Sequence, residues 1–596
     1  MSRNPRTPRA IEAGRRFDAM LGGCAALTLA CVSCVGHIGS ADGTGELSGL
    51  DGAGPNSSGP EPFACGAGDT PEAVPLRRLT QHEYRNAIVS LLSVELSENG
   101  QPVERSVVDL GPIETLLSAL PKDGPLGNVK LFDASELRTD ESHVLVHFQV
   151  ATHVANLMAD DATVYEKLVG APCPETATDK LACVRALLTS FGAKVLRRPL
   201  SVEEQALYLE RYGAGAVTGH GDGIKSVVAS LLNAPGFIFH LEDQGTPVAG
   251  DARRLALTAH EKAARLSFAL TGSAPDGALR AKATSGELAA SEAFDREVDR
   301  LLMLPVAQQH LGRFFKQWLK IPETGDLTSL NPDFLQGLDA GGLVPKVSAE
   351  THAFIRHIVW EQRGGLEDLL LSRSAFVSDP ALAQVYGVTA GSTQSPLIQL
   401  NETHAGLLTR AAMLLGLSES TSPIARGVRV RRHILCDTLA EPGDIDVSDA
   451  ELQPIADDTL YSTRQIFEHR TSLGRCQACH ININGIGFAL EGYDTLGRFR
   501  SEERKYSADG ARVATVPIDT VSVPNVEDSS AEPVQDAVQL SQRIANGKKA
   551  HACLTAQWIE YSVGSQLPDS GISCFRDRVY KALTACLLYT SDAADE

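Results

Sequence analysis

The amino-acid sequence predicts a mainly α, multi-domain protein with little β structure, and three observations carry that reading. Ser/Thr-x-x-Glu capping boxes open helical runs at three places. Apolar residues recur at helical spacing through most of the chain between them. Strand signals cluster in one short stretch that allows one small β-hairpin at most. At 596 residues the chain also exceeds what one hydrophobic core usually organises, so several packed units are expected.

The elements follow in order. Arg3, Arg6, Arg9, Arg15 and Arg16 precede the apolar run Met20 to Val35, so residues 1–35 read as a signal peptide or lipoprotein leader. Cys24, Cys31 and Cys34 lie in that run, where a cysteine could carry a lipid. Residues 36–75 are rich in Gly, Ser, Asp and Pro and read as a flexible linker. Thr80-Gln81-His82-Glu83 starts a run through Tyr84, Ile88 and Leu91, which opens an N-terminal helical domain at 76–140. A second helical domain is expected at 141–248, with Ser201-Val202-Glu203-Glu204 starting a helix just after Arg197-Arg198-Pro199. Thr258-Ala259-His260-Glu261 begins a third at 252–390, where further amphipathic runs cover 298–304, 308–319 and 350–360. Another run covers 406–415, inside a domain placed at 395–505. Residues 506–585 form a last domain holding the strand signal of 512–523. Residues 586–596 read as the translation of a sequencing adaptor and are set aside.

Composition narrows the function. The chain is 43% hydrophobic and 21% charged, in the range of a water-exposed globular body. A formal charge of −20 argues against nucleic acid, whose binding rests on Lys and Arg neutralising phosphates. Of twelve cysteines, those outside the leader and the closing segment are Cys65, Cys173, Cys183, Cys436, Cys476, Cys479, Cys553 and Cys574. In an oxidising compartment most of them should pair. Proximity favours Cys173 with Cys183 and then Cys553 with Cys574, leaving Cys65 with Cys436.

The chemistry concentrates in Cys476-Gln477-Ala478-Cys479-His480. Two thiols two residues apart, followed at once by an imidazole, are the pattern that binds one haem c covalently and supplies its proximal iron ligand, His480. Gly485 and Gly487 would let the chain pass close to a flat ligand, with Phe488, Leu490 and Tyr493 as apolar wall. Arg498 is a further candidate contact. No methionine follows His480, so the sixth iron position is expected to fall to His551, Met413, an upstream histidine such as His433 or a ligand lost with a truncated end, or to stay open. A plain Cys476–Cys479 disulfide, a thiol redox motif and a zinc site are the competing readings; no second Cys pair or His pair sits at finger spacing. Arg426, Arg429, Arg431 and Arg432 could meet haem propionates or an acidic partner, or form a solvated helix face. Glu491 and Asp494 could orient ligands.

These segments together resemble a known group. They are Leu79-Thr80 with Tyr84-Arg85-Asn86, Leu196 to Leu200, Ala264 to Ser267, Ser422-Pro423 with Arg426-Gly427, and Cys476 to Arg500, closed by Tyr561-Ser562-Val563-Gly564. The pattern is similar to large exported bacterial proteins of planctomycete type that carry a c-type haem motif. They are built from consecutive domains of unknown function, the series fifteen-eighty-five, fifteen-eighty-seven, fifteen-eighty-eight, fifteen-ninety-two and fifteen-ninety-five. Asn484-Gly485 stands where that pattern usually has Asp-Pro, and the proline run expected after Cys436 is reduced to Glu441-Pro442. The resemblance implies a cytochrome-like protein of the cell envelope, in the periplasm or at the cell surface. The leader and linker allow a lipid anchor or membrane tether and equally a cleaved leader and a freely secreted protein, and the electron-transfer reading expects an envelope redox partner. Two other functions stay open: a surface binding or scaffold protein with a structural Cys476–Cys479 disulfide, and a peroxidase-like haem enzyme.

Overall fold

The computed structural model describes residue 63 and residues 76–98, 101–125, 132–134, 139–173, 176–248, 251–439, 458–472, 474–507, 509–527, 531–564 and 573–592. The expected leader lies outside them, and so does nearly all of the expected linker. The protein is mainly α. No helix among the described residues is long and apolar enough to cross a membrane.

All three capping boxes form. Thr80 accepts from the Glu83 amide while Glu83 accepts from Thr80, starting α1 (Gln81–Leu91). Helix α2 (Glu141–Asp160) follows, then Ser201 and Glu204 start α3 (Val202–Gly215), ahead of α4 (His220–Leu232). Thr258 and Glu261 start α5 (Ala259–Thr271). Each reciprocal pair satisfies two amides that a first turn leaves without an intrahelical partner.

The chain divides into two compact units. Among the described residues, the first takes those from 76 to 311 and 560–575, and the second takes residue 63 and those from 312 to 559 and from 576 to 592. In the first unit α4 packs against both α2 and α3. Tyr84, Val150, Phe191, Val227, Leu231 and Phe237 are all essentially inaccessible in its core. Arg197, in a left-handed backbone conformation at φ 61°, is buried beneath it. It donates to the carbonyls of Gly236, Phe237 and Phe239 and lies over the Phe237 and Phe268 rings. Cys173 and Cys183 pair as expected.

In the second unit, α6 (Leu343–Arg356) carries the fully buried Glu350, which pairs with Arg410 at 2.7 Å and accepts from the Tyr386 hydroxyl at 2.9 Å. The run expected as a helix over 406–415 is broken. Gly406 (φ 47°) and the extended Arg410 leave only a 3-10 turn at Leu407–Thr409 and the single turn Ala411–Leu414, with Arg410 drawn into Glu350. Cys553 pairs with Cys436 and not with Cys574, which is disulfide-bonded elsewhere. Nearness in sequence misled because 117 residues separate the true pair.

The β content exceeds the single hairpin expected. Five two-stranded antiparallel sheets occur among the described residues: β1–β2 (Ser93–Glu98 with Gln101–Ser106), β3–β4 (Gly124–Pro125 with Asp133–Ala134), β5–β6 (Thr246–Val248 with Asp251–Ala256), β7–β8 (Ser374–Phe376 with Leu397–Gln399) and β9–β10 (Glu502–Tyr506 with Arg512–Pro517). The dipeptide Asn99-Gly100 joining β1 to β2 is a strong hairpin signal that strand periodicity did not pick up. The pair β7–β8 is too short and too distant in sequence to leave such a signal.

Candidate functional site

The Cys-x-x-Cys-His segment is helical. In the second unit, the short helix α7 (Pro423–Arg429) precedes α8 (Thr463–Thr471) and α9 (Gly474–Ala489), and α9 carries Cys476, Cys479 and His480. A fourth capping box starts α8: Ser462 accepts from the Gln465 amide, and the Gln465 side chain accepts from Ser462. The Thr463 amide is anchored on Glu503 at 2.7 Å.

Cys476 is partly exposed, Cys479 is exposed, and both are free thiols. Three residues apart on a helix, they share one face about 5–6 Å apart at Cβ. His480, the next residue, is half-buried, and its Nδ1 lies 3.2 Å from the Asn484 side-chain oxygen. The Asn484 amide nitrogen donates to Thr471 Oγ1 at 2.7 Å, and the Thr471 hydroxyl donates to the Phe467 carbonyl at 2.7 Å. The sequence marks Asn484 only as a departure from the Asp-Pro of the similar group and gives no sign of Thr471, although the i, i+4 spacing of His480 and Asn484 is visible in it.

The glycines have a different task from the one expected. Gly485 and Gly487 lie inside α9, and a Cβ at Gly487 would overlap the Pro423 carbonyl of α7. Opposite, a Cβ on Gly427 would overlap the Ile483 carbonyl, so the two helices cross backbone to backbone. At Gly485 the close neighbour is the Val523 carbonyl, and the Ser522 hydroxyl donates to the Gly485 carbonyl at 2.6 Å.

The downstream candidates are also held by protein. Phe488 is buried, with the Arg464 guanidinium 5.0 Å from its ring centre. Tyr493 is buried, donates to the Thr403 carbonyl and meets His404 edge-on at 5.6 Å. Burial pushes its phenol upward. Arg498 donates to Asp494 at 2.6 Å and to the carbonyls of Phe334 and Leu335. It lines a cavity of about 440 Å³ with Phe334, Tyr386 and Asn401, a lining that does not include Cys476, Cys479 or His480. Glu491 is buried among Arg426, Arg500 and Thr421; burial raises its carboxyl above the usual range although both arginines oppose this.

The basic cluster is no solvated face. Arg426 is buried and donates to the carbonyls of Leu414, Leu490, Tyr493 and Asp494. Arg431 is buried and reaches the Asn482 and Asn525 carbonyls and Asp437. Arg429 donates to the Met413 carbonyl at 2.7 Å. Only Arg432 has no interaction of this kind described.

Met413 is buried in the turn Ala411–Leu414. His551, on α11 (Lys548–Val563; α10 is Ala537–Ala545), has its Nδ1 3.0 Å from the Gly547 carbonyl, and burial lowers its pKa. Burial, followed by the charges of Arg429, Lys320 and Arg432, brings His433 down to about 4. No group of three or more His, Cys, Asp or Glu side chains among the described residues is gathered as a metal site. Protein-only coordination is thus not assembled around His480, whereas a porphyrin iron asks this segment for one imidazole and two thiols. Ile481, Val521 and Val523 are exposed apolar side chains on the segments that meet at Gly485 and Ile481.

Residues 257–388 match the family model described as PSD4, a protein of unknown function (DUF1592), and residues 404–503 match PSCyt3, a protein of unknown function (DUF1588). The second match contains the whole of α7, α8 and α9. No curated protein and no solved structure matches this chain.

Proposed function

We propose that this chain carries one covalently bound haem c on Cys476, Cys479 and His480 and acts as an electron-transfer protein outside the cytoplasm. The observation that carries the reading is the state of three neighbouring groups on α9. Both thiols are free and one helical turn apart, and the imidazole beside them has one nitrogen engaged with Asn484 and the other without a described protein partner. A bound haem would supply one-electron chemistry. The chain's own residues do the rest: the two thiols anchor and orient the ring, and His480 offers the proximal nitrogen.

The envelope setting, the lipid or leader tether, the redox partner protein and the planctomycete-type domain order belong to the same proposal. They rest on the arginine-led apolar leader and on the motif series from Leu79 to Gly564. His551 and Met413 stay as distal candidates. A high-spin spectrum would mark an open sixth position and favour a peroxidase-like enzyme; a low-spin spectrum would mark a filled one.

The test is a haem-stained denaturing gel of the full chain, expressed together with a cytochrome maturation system. Stain is expected in the natural chain and absent in the double variant Cys476→Ser/Cys479→Ser. An unstained natural chain whose mass shows Cys476 bonded to Cys479 would sink the proposal and leave the scaffold reading in its place.

A further inference from the structure

The contacts behind His480 have only one consistent direction. A main-chain carbonyl can only accept, so at 2.7 Å the Thr471 hydroxyl must donate to Phe467. Its proton committed, the same oxygen can only accept from Asn484, which places the Asn484 amide nitrogen on the Thr471 side. The amide oxygen then faces His480, and an amide oxygen also only accepts. The proton of the neutral imidazole is therefore on Nδ1, and Nε2 holds the free lone pair.

We infer that Asn484 is a positioning residue for His480: anchored on α8 through Thr471, it fixes the imidazole as the Nδ1–H tautomer and keeps a neutral acceptor behind it. This rests on the haem reading above and adds how that site is tuned. The group behind a ligating histidine sets its orientation and basicity. A carboxylate there would draw the Nδ1 proton and make the imidazole a stronger donor, whereas an amide leaves it weaker. A carboxylate also could not donate to Thr471, so the present anchor would be lost. With Asn at this position the chain holds both the tautomer and the link between α8 and α9.

The experiment is an equilibrium redox titration, followed by visible absorbance, of the full chain matured with its haem, compared with Asn484→Asp and Asn484→Leu. Haem stain on a denaturing gel is read first on every sample. Stain retained in all three is expected. The Asp variant should titrate at a more negative potential than the natural chain and the Leu variant at a more positive one, because one strengthens and the other removes the acceptor. Shifts of opposite sign separate tuning from simple loosening, which would move both variants the same way. Thr471→Val serves if either variant does not fold: its potential should shift although His480 and Asn484 are both intact. Stained variants that all titrate with the natural chain would overturn the role of Asn484 and leave the haem reading standing. A natural chain without stain would overturn both.

Discussion

Arg426 is 7% exposed, and its guanidinium donates to four carbonyls, of which those of Leu490 and Asp494 also accept from the Tyr493 and Gly497 amides. It also lies 3.6 Å from the buried Glu491 carboxyl. Arg426→Met keeps the apolar stem but removes every donor and the counter-charge together. Breaking a buried pair in this way typically costs about 3–5 kcal/mol, with orphaned acceptors adding to it. The midpoint of denaturant unfolding should fall accordingly, and an unchanged midpoint would mean that the guanidinium is dispensable. The sequence displayed this arginine in a basic run and in the Arg426-Gly427 segment of the resemblance, and neither pattern reveals which carbonyls will surround it. The caps at Thr80, Ser201 and Thr258 were legible for the opposite reason: their partners stand three residues away.

Among the elements, the crossing of α7 and α9 is the most constrained by sequence. Gly487→Ala adds one methyl against the Pro423 carbonyl, so the helices must separate. Overpacking of this sort costs about 1–3 kcal/mol. By contrast, Gly213 in α3 has open space where a Cβ would stand, and Gly213→Ala should be neutral or gain up to about 1 kcal/mol from helix propensity. Thermal unfolding of the two variants side by side checks the pair, and equal behaviour would contradict the close crossing. The helical runs themselves could be read from periodicity, and the mainly α class with them. The crossing could not, since Gly485 and Gly487 suggest tight approach without saying to what. The expectation of a flat ligand there gave way to the Val523 and Pro423 backbones. The helix expected over 406–415 failed likewise, because a partner 60 residues away, Glu350, captured Arg410.

At the scale of the molecule, both units hold histidines that burial brings down to about 4, among them His147 and His240 in the first and His404 and His433 in the second. In each, burial first and neighbouring positive charges second bring the pKa from 6.5 down to about 4. A depressed value means that the unfolded chain takes up protons before the folded one does. The stabilising effect is complete above pH 6.5 and is lost progressively as pH falls towards 4. The thermal midpoint should therefore decline across that window, and His404→Gln should flatten part of the decline; a midpoint constant from pH 7 to 4.5 would contradict it. Glu83, which burial alone would raise but Arg77 and His240 together hold well below its usual range, stabilises the fold at and above that usual range and loses this effect only as pH falls below it. Long-range pairing of this kind was the least readable layer of the sequence, and the bridge between Cys436 and Cys553 is its clearest case. That bridge has a topological consequence: Cys476, Cys479 and His480 all lie within the covalent ring it closes. A protease that nicks one peptide bond inside the ring opens it without shedding a fragment, and whatever the segment carries stays tied to the rest of the molecule until a reductant reaches the bridge.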